Sequence, residues 1–212
     1  MDAELLNFIV RWGHLLFGIT WIGLLYYFNF IQGGYFKAAT PEALADAKAK
    51  LAPEALWWFR WGAMFTFLTG VVLLVGMQHQ GLLNSYIALG ALMGTFMFLN
   101  VWLIIWPNQQ IALGLKEGDA AAAGAKALLA SRTNTLFSAP MAYGMLAGPH
   151  LGYGDALLSS AGNGLCVALA IVVLLELNAL FGKMGPITTV KGVIHSSLAL
   201  TAVLYGALAL IA

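Results

Sequence analysis

Long apolar runs separated by short polar clusters organise the chain. Six runs can be drawn, at about residues 6–30, 60–79, 86–107, 133–149, 158–181 and 192–212. Such lengths suit helices crossing a hydrocarbon core of about 30 Å at about 1.5 Å per residue. The alternating short segments of a membrane β-barrel are absent. No Asp, Glu, Lys or Arg occurs from Trp12 to Phe36, and none from Trp61 to Leu115. The second long gap must hold two runs; its break is placed at Met77–Ser85, where Gln78, His79, Gln80, Gly81 and Asn84 gather. The fourth run is the shortest, interrupted by Pro140 and closed by Gly148–Pro149, and a start in the alanine-rich stretch before Ser131 stays open. The pattern predicts an all-α polytopic transmembrane bundle of about six helices, forming one integral-membrane domain over residues 1–212.

The polar connectors give the bundle a direction. Lys37, Lys48, Lys50 and Arg60 lie in or beside the first loop, Lys116, Lys126 and Arg132 in the third, and Lys183 and Lys191 in the fifth. Of the ten basic residues only Arg11 falls on the other side. The positive-inside rule therefore puts these loops in the cytoplasm and both termini on the non-cytoplasmic side, in what is expected to be a bacterial inner membrane. Thr40-Pro41-Glu42 and Gly118-Asp119 read as starts of short exposed connector helices.

Composition agrees with this picture and narrows the partners. Of 212 residues, 61% are hydrophobic and 9% charged, where a soluble domain carries about a quarter charged. Mean hydropathy is +0.84. A net charge of +1 argues against nucleic acid and leaves the lipid bilayer as the evident partner. The first run is too long, and too acidic on its N-terminal flank, for a removable signal peptide. The single cysteine, Cys166, excludes an intrachain disulfide, a CxxC pair and a CxxCH haem-attachment motif, and is expected buried as a small apolar side chain.

Candidate chemistry lies in the polar groups within the runs. Arg11, His14, Gly18, Trp21, Leu25 and Phe28 share one helical stripe, which should face other helices or a cofactor because imidazole is costly against lipid. His14 can be an interhelical hydrogen-bonding group or an axial haem ligand, with Gly18 making room for a flat macrocycle and Trp21 packing at its edge. His195, followed along its stripe by Ala199, Ala202 and Gly206, suits close helix packing or a cofactor equally. Glu176, inside IVVLLELNALF, needs a cation, a proton or a hydrogen-bond partner. Arg60 and Arg132 could hold a planar or anionic ligand by their guanidinium forks, or form a structural ion-pair network. No Walker loop, dinucleotide fingerprint, zinc spacing or Ser/His/Asp signature is present.

In this order, RWGHLLFGITWIGLLYYFNF, WFRWGAMFTFLTG, NVWLIIWPNQQ and SRTNTLFSAPM resemble the membrane domain of the membrane-bound urate oxidases, urate hydroxylases whose helical bundle is joined to a C-terminal cytochrome c. The resemblance runs through about the first 150 residues and is scattered beyond. It covers His14, Trp21, Gly23, Arg60, Trp61, Asn108, Gln109, Arg132 and Asn134. It implies an oxidoreductase that binds b-type haem through His14, with Gly18 and Trp21 beside it. Arg60, Asn108, Arg132 and Asn134 would then hold substrate; Glu176 and His195, which lie outside the resembling strings, are expected from their own placement to handle protons. Without a CxxCH in this chain, electrons are expected to pass to a separate cytochrome c. The alternatives are a non-enzymatic accessory subunit of a larger respiratory-type complex, a homo-oligomeric form included, and, with less to support it, a small-molecule carrier.

Overall fold

The computed structural model describes residues 2–151 and 162–211, and among them every regular element is helical. Among the described residues six long helices succeed one another: α1, Ala3–Ala38; α2, Pro41–His79; α3, Ser85–Ala112; α4, Ala120–His150; α5, Asn163–Phe181; and α6, Val190–Leu210. All but α4 are apolar enough along their length to cross a membrane. This bears out the predicted class. Residues 158–161 of the predicted fifth run lie outside the described residues.

Local chemistry sets the ends. Asp2 accepts from Glu4 N–H to start α1, and Thr40 accepts from Ala43 N–H ahead of Pro41 to start α2. The α2–α3 break falls at the predicted place, where Gly81 has φ 67° and Asn84 Oδ1 accepts from Ile87 N–H at 3.1 Å. Asp119 accepts from the N–H groups of Ala121 and Ala122 at 2.9 and 3.0 Å. The expected connector helices are therefore the first turns of α2 and α4, which run on unbroken. Arg132 and Asn134 consequently lie in the middle of α4 rather than at its start.

Pro140 reads in the sequence as an interruption of the fourth run, yet α4 passes through it. Proline has no N–H for the carbonyl four residues back, which here is that of Leu136. Ser197 of α6 supplies the missing donor, its hydroxyl lying 2.8 Å from Leu136 O. Tyr205 of α6 donates to Pro140 O at 2.7 Å.

Three stretches are wound more widely than an α-helix: Tyr27–Gln32 in α1, Ala47–Leu51 in α2 and Asn100–Ile105 in α3. Each π turn inserts a residue and rotates the residues C-terminal to it. In α1 the stripe of His14, Gly18, Trp21 and Leu25 deepens as predicted, Trp21 and Leu25 being buried. Within the π turn it is Asn29, rather than Phe28, that is buried.

The helices form two compact units. The first comprises Met1–Thr69 with Phe98–Arg132, and the second Gly70–Met97 with Thr133–Ala212. Trp21, Leu25, Phe59, Ala63, Val101 and Ala127 centre the first core. Gly62 lets α1 and α2 meet there, since a Cβ on it would stand 3.2 Å from Trp21 N. Leu89, Met93, Phe137, Val172 and Leu204 centre the second core. Leu5, Phe8, Trp12, Leu15 and Ile19 are exposed along α1, as lipid-facing residues should be.

Candidate functional site

His14 is half-buried, with Nδ1 2.9 Å from Thr66 O and 3.1 Å from Thr69 Oγ1 of α2. A carbonyl only accepts, so Nδ1 carries the proton and donates. In the neutral ring Nε2 then holds the lone pair, the arrangement in which a histidine binds iron while its other nitrogen is oriented by backbone. The imidazole therefore fits an axial-ligand role, and equally serves as an α1–α2 tie. Gly18 and Trp21 belong to the same helix seam: a Cβ on Gly18 would lie 3.9 Å from Thr66 Cγ2, and Trp21 is 2% exposed.

The two predicted arginines both lie in the first unit. Arg60 of α2 has its guanidinium carbon 3.9 Å from the ring centre of Trp106 and 5.9 Å from that of Trp102, a cation–π seat on α3. Its Nε is buried without a hydrogen-bond partner. Arg132 of α4 is 8% exposed, and two of its three guanidinium nitrogens, Nε and Nη1, are buried without one. Four further buried atoms in this unit share that condition: Trp21 Nε1, Asn29 Oδ1, Gln32 Oε1 and Trp102 Nε1. Native interiors leave few such groups, each costing about 1–3 kcal/mol, so a concentration of them is a place where a polar ligand would be favoured.

Specific contacts bring the carriers of these atoms close. Asn29 Nδ2 donates to Ser131 Oγ at 2.8 Å, which sets the π turn of α1 beside the residue preceding Arg132. Phe28 meets Phe59 edge-on at 5.3 Å, joining the same turn to the residue preceding Arg60. Trp61 meets Trp102 at 5.6 Å, joining α2 to the π turn of α3. Trp21 stands eight residues before Asn29, about 12 Å along the helix, and its main chain meets α2 at Gly62, two residues from Arg60. From the sequence, Asn29, Gln32 and Trp102 read only as helix-end polar residues or belt aromatics. An amide within an apolar run was the available signal, but the π turns that aim these groups have no readable period.

The other predicted residues are used differently. Asn108 Nδ2 donates to Ile104 O at 2.7 Å and Asn134 Nδ2 to Met97 O at 2.9 Å, so both amides support α3 main chain. Glu176 of α5 is 7% exposed, whereas His195 of α6 is exposed. A cleft of about 690 Å³ in the second unit is lined by residues of α4, α5 and α6 and the α5–α6 loop, and neither Glu176 nor His195 lines it. Among the described residues no group of three or more His, Cys, Asp or Glu could hold a metal ion. Cys166, expected buried, is exposed: on a helix flanked by lipid, a thiol can face outward as readily as inward.

The chain matches the family model described as urate oxidase N-terminal over residues 77–205, more than half its length. That span includes Asn108, Arg132, Asn134, Glu176 and His195, and continues well past residue 150, where the sequence resemblance thinned. Comparison with curated proteins and with solved structures gives no match.

Proposed function

Because the chain belongs to the urate oxidase N-terminal family, we propose that it is a membrane oxidoreductase acting on urate or a close oxopurine, with Arg132 as the main substrate anchor. The observation that carries this reading is the Arg132 guanidinium, buried with Nε and Nη1 unbonded. Both nitrogens carry N–H donors in the plane of a fixed positive charge, which suits a planar, oxygen-rich anion such as the urate monoanion. Arg60, held on Trp106, adds a second positive charge. In surroundings without water these charges act more strongly on an anion than they would in solvent.

Oxidation of urate by water addition gives a hydroxylated product, two electrons and two protons. His14 would hold a b-type haem through Nε2, and that group would supply one-electron transfer to a separate cytochrome c. The positive-inside topology puts the arginines toward the cytoplasm and His14 toward the outer face, where such a carrier would dock. Glu176 and His195 are proposed to take protons.

Equilibrium dialysis of labelled urate against the protein in lipid nanodiscs tests the anchor. Wild type should bind saturably, and Arg132→Lys, which keeps the charge but loses the fork, should weaken binding by about tenfold or more. Equal binding by the two proteins would overturn the assignment. A haem absorption band that survives His14→Ala would remove His14 as ligand.

A further inference from the structure

Arg132 and Arg60 explain attraction for an anion, but they do not account for the unbonded acceptors beside them. Asn29 Oδ1 and Gln32 Oε1 are buried without a donor, on the π turn Tyr27–Gln32 of α1. Asn29 is only 4% exposed, and its orientation is fixed, because Nδ2 donates both to Leu25 O at 2.9 Å and to Ser131 Oγ at 2.8 Å. The amide cannot flip to present a donor instead. Trp102 Nε1, on the π turn Asn100–Ile105 of α3, is an unbonded donor. Besides Trp21 Nε1, the first unit therefore offers four unbonded donor atoms, namely Nε and Nη1 of Arg132, Nε of Arg60 and Nε1 of Trp102, and two unbonded acceptor atoms.

This donor and acceptor set selects a ligand class. Sulfate or a simple carboxylate carries no donor hydrogen and would leave both amide oxygens unpaired, at the cost of a buried unsatisfied acceptor each, and hydrogen phosphate offers one or two hydroxyls on a tetrahedral rather than a planar frame. The complement is a planar anion with several oxygens and at least two N–H groups. A site built to hydrogen-bond N–H groups rejects analogues lacking them far more strongly than an apolar pocket rejects an extra methyl. π turns recur at functional sites because the inserted residue aims side chains that an α-helix would turn away.

We propose that the two π turns form the reading edge of the substrate site: Asn29 Oδ1 and Gln32 Oε1 accept two N–H groups of an oxopurine anion, and Trp102 Nε1 donates to one of its carbonyl oxygens. The inference rests on the urate reading above and assigns its specificity to residues other than the arginines.

The test uses nanodisc-embedded full chain, urate and the four monomethyl urates, each lacking one N–H or the corresponding acidic proton. Wild type should lose about tenfold or more in affinity for at least two of the methylated ligands. Gln32→Met, close in volume but without the acceptor, should bind urate about tenfold more weakly. It should show no further loss for the one methyl urate whose missing N–H Gln32 reads. Asn29→Leu should behave likewise with a different methyl urate, and if that variant does not fold, the Gln32→Met cycle decides alone. Unchanged urate binding by Gln32→Met, with additive losses across the methyl series, overturns this inference while leaving Arg132 as anchor. Wild type that binds no urate overturns the underlying reading as well.

Discussion

A buried guanidinium with two unbonded nitrogens carries a desolvation cost that hydrogen bonds to a bound anion would offset. This separates a binding role for Arg132 from a structural one. If Arg132 were a packing residue, truncating it would lower stability. If it is a ligand anchor, Arg132→Met, which removes the buried charge and keeps most of the volume, leaves the ligand-free protein as stable or more so. The same substitution then abolishes the rise in Tm that urate gives the wild type. Thermal unfolding of both proteins with and without urate measures this, and a Tm several degrees lower for the ligand-free variant would mark Arg132 as structural. The sequence made both arginines visible as costly charges near helix ends. It did not show that Arg132 is left with two unbonded nitrogens while Arg60, with one, rests on Trp106.

Among the elements, the apolar runs were legible because lipid imposes one rule on every helix, and the cap at Thr40 and the break after His79 came from local chemistry. Helix continuity was not legible. Pro140 reads as a stop in isolation and is tolerated only because Ser197, distant in sequence, donates to the carbonyl it releases. Ser197→Ala should therefore cost about 1 kcal/mol, within the range for interhelical hydrogen bonds in membranes. Adding Pro140→Ala to that variant should recover most of the loss, since an alanine at this position has the N–H to donate to Leu136 O itself. Thermal or denaturant unfolding in detergent checks the pair, and equal losses from Ser197→Ala with and without the proline would break the link. The π turns were equally hidden, because an inserted residue leaves no trace in hydrophobic period. They account for the burial of Asn29 where the α-helical stripe pointed to Phe28.

At the scale of the molecule, class and family were both within reach of the sequence, the first from composition and the second from short strings such as WPNQ and SRTN. The candidate site was half visible. Its charges stand out in an apolar chain, but its amides and indoles look like ordinary interfacial residues until hydrogen-bond partners are counted. Asn108 and Asn134 show the converse, since the amides that the resemblance marks for substrate donate to α3 main chain. The proposed arrangement separates a cytoplasmic oxopurine site from an outward-facing electron exit. The most direct measurement reconstitutes the protein with haem in nanodiscs, adds urate and a soluble oxidised c-type cytochrome, and records cytochrome absorbance as urate is consumed. Reduction of two cytochromes per urate is predicted, with the rate about tenfold or more lower for Arg132→Lys. Urate left unconsumed, or consumed at the same rate by Arg132→Lys, would contradict it.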